Sequence, residues 1–225
     1  IADGTTKAFL DPTEPRAFPE PLRWTKPTVT GGGPHRVQVC FAGDWRRYGG
    51  PQRSMLEEIA ACRQAGLSVA VMHLEAFRFM TPEDLPLCEA VLELIESGEV
   101  EWLQADDDVQ VDVLILRYPP ILQYPPRLTR ESVRVGTLLL VANQAPMELD
   151  GSDQRYVVRD VTERAKELFG VDPVWVPQGA RIREVLRLQD PDVAMTDWDD
   201  PGLIDVEQWR CRDDRPVGRS GTIVV

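Results

Sequence analysis

The sequence predicts an α/β domain with a mostly parallel sheet covered on both faces, and three observations predict it. Apolar runs recur at residues 37–42, 67–74, 111–116 and 135–142 without clean apolar/polar alternation, the pattern of strands buried on both sides. Between several of them lie segments whose apolar residues return every three or four positions, the period of a helix. Glycines at 66, 98 and 170 close these segments, where a helix C-terminus favours them.

The elements follow in order. Residues 1–35 form a Pro/Gly-rich arm, with Pro12, Pro15, Pro19, Pro21, Pro27 and Pro34 and three consecutive glycines at 31–33; proline density removes backbone donors and favours extended chain. Residues 36–188 carry the domain. Its first strand is 37–42, and Pro51 then stands where a helix accepts proline at N1. Met55, Ile59 and Cys62 mark the buried face of that helix, which stops at Gly66. With the run at 67–74 this makes a βαβ unit. In "TPEDLPLCEAVLELIESG", Thr81 is the expected N-cap, Pro82 the N1 residue and Asp84 the acid of a capping-box spacing. A short strand at 100–103 follows, then "VDVLIL" and "VGTLLLVA", then the helix "RDVTERAKELFG" and the short strand "VDPVWVPQG". After about Val185 the periodicity fades. Residues 189–225 read as a connector packed through Trp198 and Trp209, and "GTIVV" reads as the start of a new strand.

Composition excludes several roles. With a formal net charge of -12 and a pI near 4.7, the chain has no broad basic surface for nucleic acid or anionic membrane. No apolar run approaches the roughly 20 residues that span a bilayer. Cys40, Cys62, Cys88 and Cys211 show no CxxC spacing and read as small apolar residues of a reducing, cytoplasmic compartment. Only His35 and His73 are present, so a histidine-built metal centre is not expected.

Against that acidic background, Arg46, Arg47 and Arg53 surround the pair Gly49-Gly50 just past the first strand. Ligands of open α/β sheets gather outside the carboxyl ends of the strands, and helix N-termini there attract anions. Glycines let backbone N–H groups approach a phosphate without a Cβ in the way. A solvated turn whose arginines balance nearby acids is the other reading, and the local residues leave both open. GxGxxG and GxxxxGK[ST] are absent, so neither an NAD nor an ATP site is expected at this turn. Arg117, Tyr118, Asn143 and Gln144 follow strong strands, hence share that sheet edge, and His73 follows its strand toward the same edge. As loop residues they are also ordinary punctuation. "ADDD" at 105–108 follows a short strand; Asp106 and Asp108 would be the ligands if the chain were instead a single-domain, metal-dependent transferase.

Taken together, "GDWRRYGGPQRSMLEEIAACRQAGLSVAVM", "VDVLILRYPP" and "RDVTERAKELFGVDPVWVPQGARIREVL" resemble the N-terminal, acceptor-side half of a GT-B glycosyltransferase of the group-1, family-4 type, over about residues 36–188. That resemblance implies a Rossmann-like three-layer domain that is one half of a GT-B fold. It implies transfer of a sugar from a nucleoside-diphosphate sugar to a sugar or glycan acceptor. Gly49 and Gly50 would approach the donor diphosphate, with Arg46, Arg47 and Arg53 beside them, and Arg117, Tyr118, Asn143, Gln144 and His73 would lie on the acceptor side. Many members carry a histidine after the mid-domain strand, where this chain has Arg117 and Tyr118, so no catalytic residue is assigned. The domain alone would bind no cofactor or metal. The donor would be held by a missing C-terminal domain, so this stretch alone is expected to be inactive. A non-catalytic α/β interaction domain is the remaining alternative.

Overall fold

In the computed structural model the described residues are 35–46, 48–76, 86–104, 107–123 and 133–203. They form six strands, β1 (His35–Gly43), β2 (Val69–His73), β3 (Glu101–Leu103), β4 (Val109–Arg117), β5 (Val133–Ala142) and β6 (Val174–Pro177). Four helices join them: α1 (Gly50–Gln64), α2 (Glu89–Glu96), α3 (Val158–Phe169) and α4 (Ala180–Gln189). All pairings are parallel, and the strand order is β3-β2-β1-β4-β5-β6. The chain thus starts in the middle of the sheet, builds outward one way, then crosses back. This is the Rossmann-like arrangement, with the reversal of strand order between β1 and β4.

The continuous apolar runs are explained by two cores. In β1, Val39 and Phe41 face Met55 and Ile59 of α1 and Val91 of α2. Their neighbours Cys40 and Ala42 face the other way, toward a core that includes Val161, Ala165 and Phe169 of α3 and Leu186 of α4. Toward the carboxyl ends of β1 and β5, residues are therefore buried whichever side they point to, and alternation is lost there. Gly66, Gly98 and Gly170 all take positive φ at helix ends, the left-handed conformation glycine adopts without a Cβ clash.

Two elements differ from the sequence expectation. The second helix begins at Glu89 with Cys88 as N-cap, not at Thr81–Pro82, which lie outside the described residues. Pro86 explains this: inside a helix begun at Pro82 its ring would clash with a preceding carbonyl and its missing N–H would break the ladder. Helix α4 was not anticipated, although Ile182, Val185 and Leu186 carry the helical spacing and two of them are fully buried. The arm at 1–34 and most of the 189–225 connector also lie outside the described residues; within the described part, Trp198 is exposed rather than packed.

Candidate functional site

A cleft of about 700 Å³ opens at the carboxyl edge of the sheet, where β1 and β4 diverge. That is the place at which an open α/β sheet takes ligands, and the size suits a small molecule. Gly49, Arg117, Tyr118, Asn143 and Gln144 all line it, so five of the residues singled out in the sequence come together there. Asp44, Tyr48, Pro51, Gln52 and Met55 complete the wall.

The turn that leads into α1 is built by residues the sequence did not advertise. Asp44 is 3% exposed and its oxygens accept four bonds. Oδ1 takes Arg46 N–H at 3.1 Å and Arg46 Nε at 3.0 Å; Oδ2 takes Arg46 Nη2 at 2.6 Å and Ala76 N–H at 2.8 Å. Burial works to raise this carboxyl, but the Arg46 bond, His73 and the Ala76 N–H outweigh it and hold it below its ordinary value. Trp45, fully buried, donates its indole N–H to Met72 O at 3.1 Å and its backbone N–H to His73 Nδ1 at 3.2 Å. Gln52 closes the turn: its side-chain oxygen accepts Gly49 N–H at 3.2 Å, and its nitrogen donates to Asp44 O at 2.6 Å. Its position three residues past the cap was the available signal, since that spacing lets a side chain reach back.

These bonds correct two expectations. The Arg46 guanidinium is 8% exposed and committed to Asp44, with Glu75 Oε1 at 3.5 Å; it serves the turn and does not face the cleft as an anion contact. His73 likewise holds Trp45 in place and does not line the cleft. Arg53 sits on α1, half-buried, with its N–H bonded to Gly49 O at 3.0 Å. Arg47 lies outside the described residues.

The N-terminus of α1 borders the cleft through Gly49, Pro51 and Gln52, while Gly50 is exposed beside it and does not line it. Gly49 is the N-cap in extended backbone and makes no side-chain cap. Pro51 has no N–H to offer. The N–H groups of Gly50 and Gln52 therefore head the helix without a carbonyl of their own helix to receive them. Nothing in the fold requires glycine at 50: a Cβ there would meet no atom within 4 Å.

On the far wall, Arg117 ends β4 with a side chain of 0% exposure. Its Nη2 bonds Asp200 Oδ2 at 2.8 Å and also meets Glu58 Oε1. With the Gln178 amide oriented to match its neighbours, Gln178 accepts from Arg117 Nη1 and donates to Asn143 O, both at 3.3 Å. The Arg117 Nε and Asn143 Oδ1 atoms are buried without partners. This corrects the picture of Arg117 as a hydroxyl contact: its charge is matched by carboxylates inside the protein. Tyr118 follows with φ of 73°, a left-handed conformation uncommon for a bulky residue and typical of functional turns. Gln144 is fixed from below, its carbonyl accepting Tyr156 O–H at 2.7 Å. Tyr48 stands at the mouth, 59% exposed.

The acidic triplet belongs elsewhere. Asp108 precedes β4 and pairs with Arg134 near the start of β5 at 2.7 Å, so it sits at the amino edge. A nine-residue strand, ~30 Å at 3.3 Å per residue, separates it from the cleft. Asp107 accepts Gln104 N–H at 2.6 Å, and Asp106 lies outside the described residues. Among the described residues no group of three or more His, Cys, Asp or Glu could hold a metal.

Fold and cleft together define an α/β protein with Rossmann-like strand order and a cleft at its strand-order reversal. Comparison of the chain with known protein families, curated proteins and solved structures finds no match. No helix among the described residues is long and apolar enough to cross a membrane.

Proposed function

We propose that this chain is the acceptor-side half of a two-domain GT-B glycosyltransferase. The observation that carries the reading is the glycine-built start of α1 at the edge of a cleft, with no side-chain cap from its N-cap residue. The fold leaves Gly50 free to be any residue with a Cβ, so its smallness matters for what approaches it. In the reaction the bond from the donor sugar's anomeric carbon to the diphosphate breaks and the diphosphate takes the electron pair. A bond from an acceptor hydroxyl oxygen forms, and that hydroxyl releases its proton. Gly50 and Gln52 N–H, with the positive end of α1, would stabilise the charge growing on the diphosphate, and Arg53 lies one turn along. The donor itself would be held by a second domain, so this half needs no cofactor of its own. We place the protein in the cytoplasm, in keeping with Cys62 and Cys88, which form no disulfide among the described residues.

The acceptor side is read from charge. Asp44 is neutralised by Arg46, and Arg117 by Glu58 and Asp200. What remains toward the cleft is the Tyr48 and Tyr118 rings and the Asn143 and Gln144 amides, a surface suited to a neutral, polyhydroxylated acceptor.

The test is a titration of the ¹⁵N-labelled chain with inorganic pyrophosphate at millimolar concentration. Saturable shifts centred on the Gly49, Gly50 and Gln52 amides are expected. Shifts only elsewhere, or none, would overturn the diphosphate role and favour a non-catalytic interaction domain. Turnover of a nucleotide sugar by these 225 residues alone would overturn the two-domain reading.

A further inference from the structure

The chain after α4 returns over the carboxyl edge of the sheet from β6 past the end of β4 to α1. Thr196 N–H donates to Trp175 O at 3.0 Å, and Asp200 N–H donates to Pro177 O at 2.9 Å, which ties the segment to β6. Arg183 of α4 clasps it through Thr196 O at 2.5 Å and Trp198 O at 2.8 Å. Asp200 Oδ2 then receives Arg117 Nη2 at the end of β4. Gly202 rests on α1: it takes φ of +87°, and a Cβ there would stand 2.6 Å from Ser54 Oγ. The path β6, β4, α1 meets Arg117, a residue that also lines the cleft.

At the centre of this path one guanidinium nitrogen serves two carboxylates. Arg117 Nη2 meets both Glu58 on α1 and Asp200 on the return segment. When both are ionised the three groups sum to one excess negative charge in a largely buried place, where like charges are poorly screened. We propose that Arg117 is a positioning residue that locks residues 196–203 across the carboxyl edge, tightly while Glu58 is protonated and loosely once Glu58 ionises and competes with Asp200.

The groups that face Glu58 come from every element around it: Ser54 and Cys62 from α1, Arg117 from β4 and Asp200 from the return segment. Burial first, and the Asp200 charge after it, outweigh Arg117 and Ser54 and push the Glu58 carboxyl up to about 7. The change of state therefore falls at neutral pH. The inference stands independently of the glycosyl-transfer reading.

Amide hydrogen exchange on the chain tests it, measured at about pH 6 and about pH 8 and corrected for intrinsic rates. Protection at Thr196, Asp200 and Gly202 should fall roughly tenfold between the two, the equivalent of one pKa unit of interaction between the carboxylates. Glu58→Gln should keep high protection at both pH values. Asp200→Asn, which retains the Oδ1 acceptor for Gly202 N–H, should show low protection at both. Amides of β4 and β5 should not change in either variant. A pH response that persists in Glu58→Gln, or full protection in Asp200→Asn, overturns the proposal. Arg117→Met should match Asp200→Asn; if it does not fold, the other two variants decide alone.

Discussion

Replacing Gly50 by alanine separates a glycine kept for the fold from one kept for a ligand. Gly50 is the first residue of α1, its φ is not positive, and an added Cβ meets nothing within 4 Å. Alanine at a compatible position stabilises by about 0.4–1 kcal/mol, chiefly by restricting the unfolded chain. For a domain of this size that raises the melting temperature by about 1–4 °C. The same methyl group stands beside the Gly50 and Gln52 N–H groups and holds a phosphate off them. Calorimetry and the pyrophosphate titration, run on one preparation, should therefore move in opposite senses: a higher melting temperature and weaker shifts at Gln52. Undiminished pyrophosphate binding would refute the close-approach argument. A lower melting temperature would refute the structural premise.

Glu58→Gln has a second, global consequence. The unfolded chain loses this proton near 4.5 and the folded one near 7, so between those values the folded state binds one proton more. Stability from this group thus falls as pH rises from about 4.5 to 7, by roughly 3 kcal/mol in all. Urea titrations across that window should show this slope in the wild type and its absence in Glu58→Gln. Asp44→Asn removes the partner of an Arg46 side chain only 8% exposed, and should cost about 3–5 kcal/mol. Because the Asp44 carboxyl is held below 3.8 when folded, its contribution is present above that value and is lost as pH falls through the folded one. Acid titration of the two proteins should therefore converge at low pH. Gly136→Ala puts a Cβ 2.8 Å from Asp112 O across the β4–β5 pair; parting two backbones should cost about 1–3 kcal/mol, read as a lower urea midpoint with unchanged slope.

Much of this architecture is written locally. Strand runs without alternation at 111–116 and 135–142 report burial on two faces, because a side chain's burial follows from its own apolarity. Gly66, Gly98 and Gly170 report helix ends, because a left-handed residue is decided by its own φ. Alternation of strand and helix then forces parallel pairing, and parallel pairing puts Gly49, Arg117, Asn143 and Gln144 at one edge. That is why these residues were legible in the sequence as a group and meet in one cleft. The start of α2 at Glu89 was not legible because Thr81 and Pro82 carried the stronger local signal, whereas Pro86 bars a helix continuous through 86–88.

Charge pairing has no such local signature. Arg46 looked like the natural anion contact of the turn, yet Asp44, two residues before it, folds back and takes it. Arg117 finds Glu58 from 59 residues away and Asp200 from 83, separations at which no spacing rule applies. Gln178, Trp45 and Gly202 matter for the same reason: their partners arrive only when the sheet is assembled. The sequence by itself determined the layers, the edge and half of the residues that line the cleft, since each depends on the chain's own period and turn chemistry. Only the tertiary structure decided which charges neutralise one another, because that depends on desolvation and on distances that exist only once the core has closed.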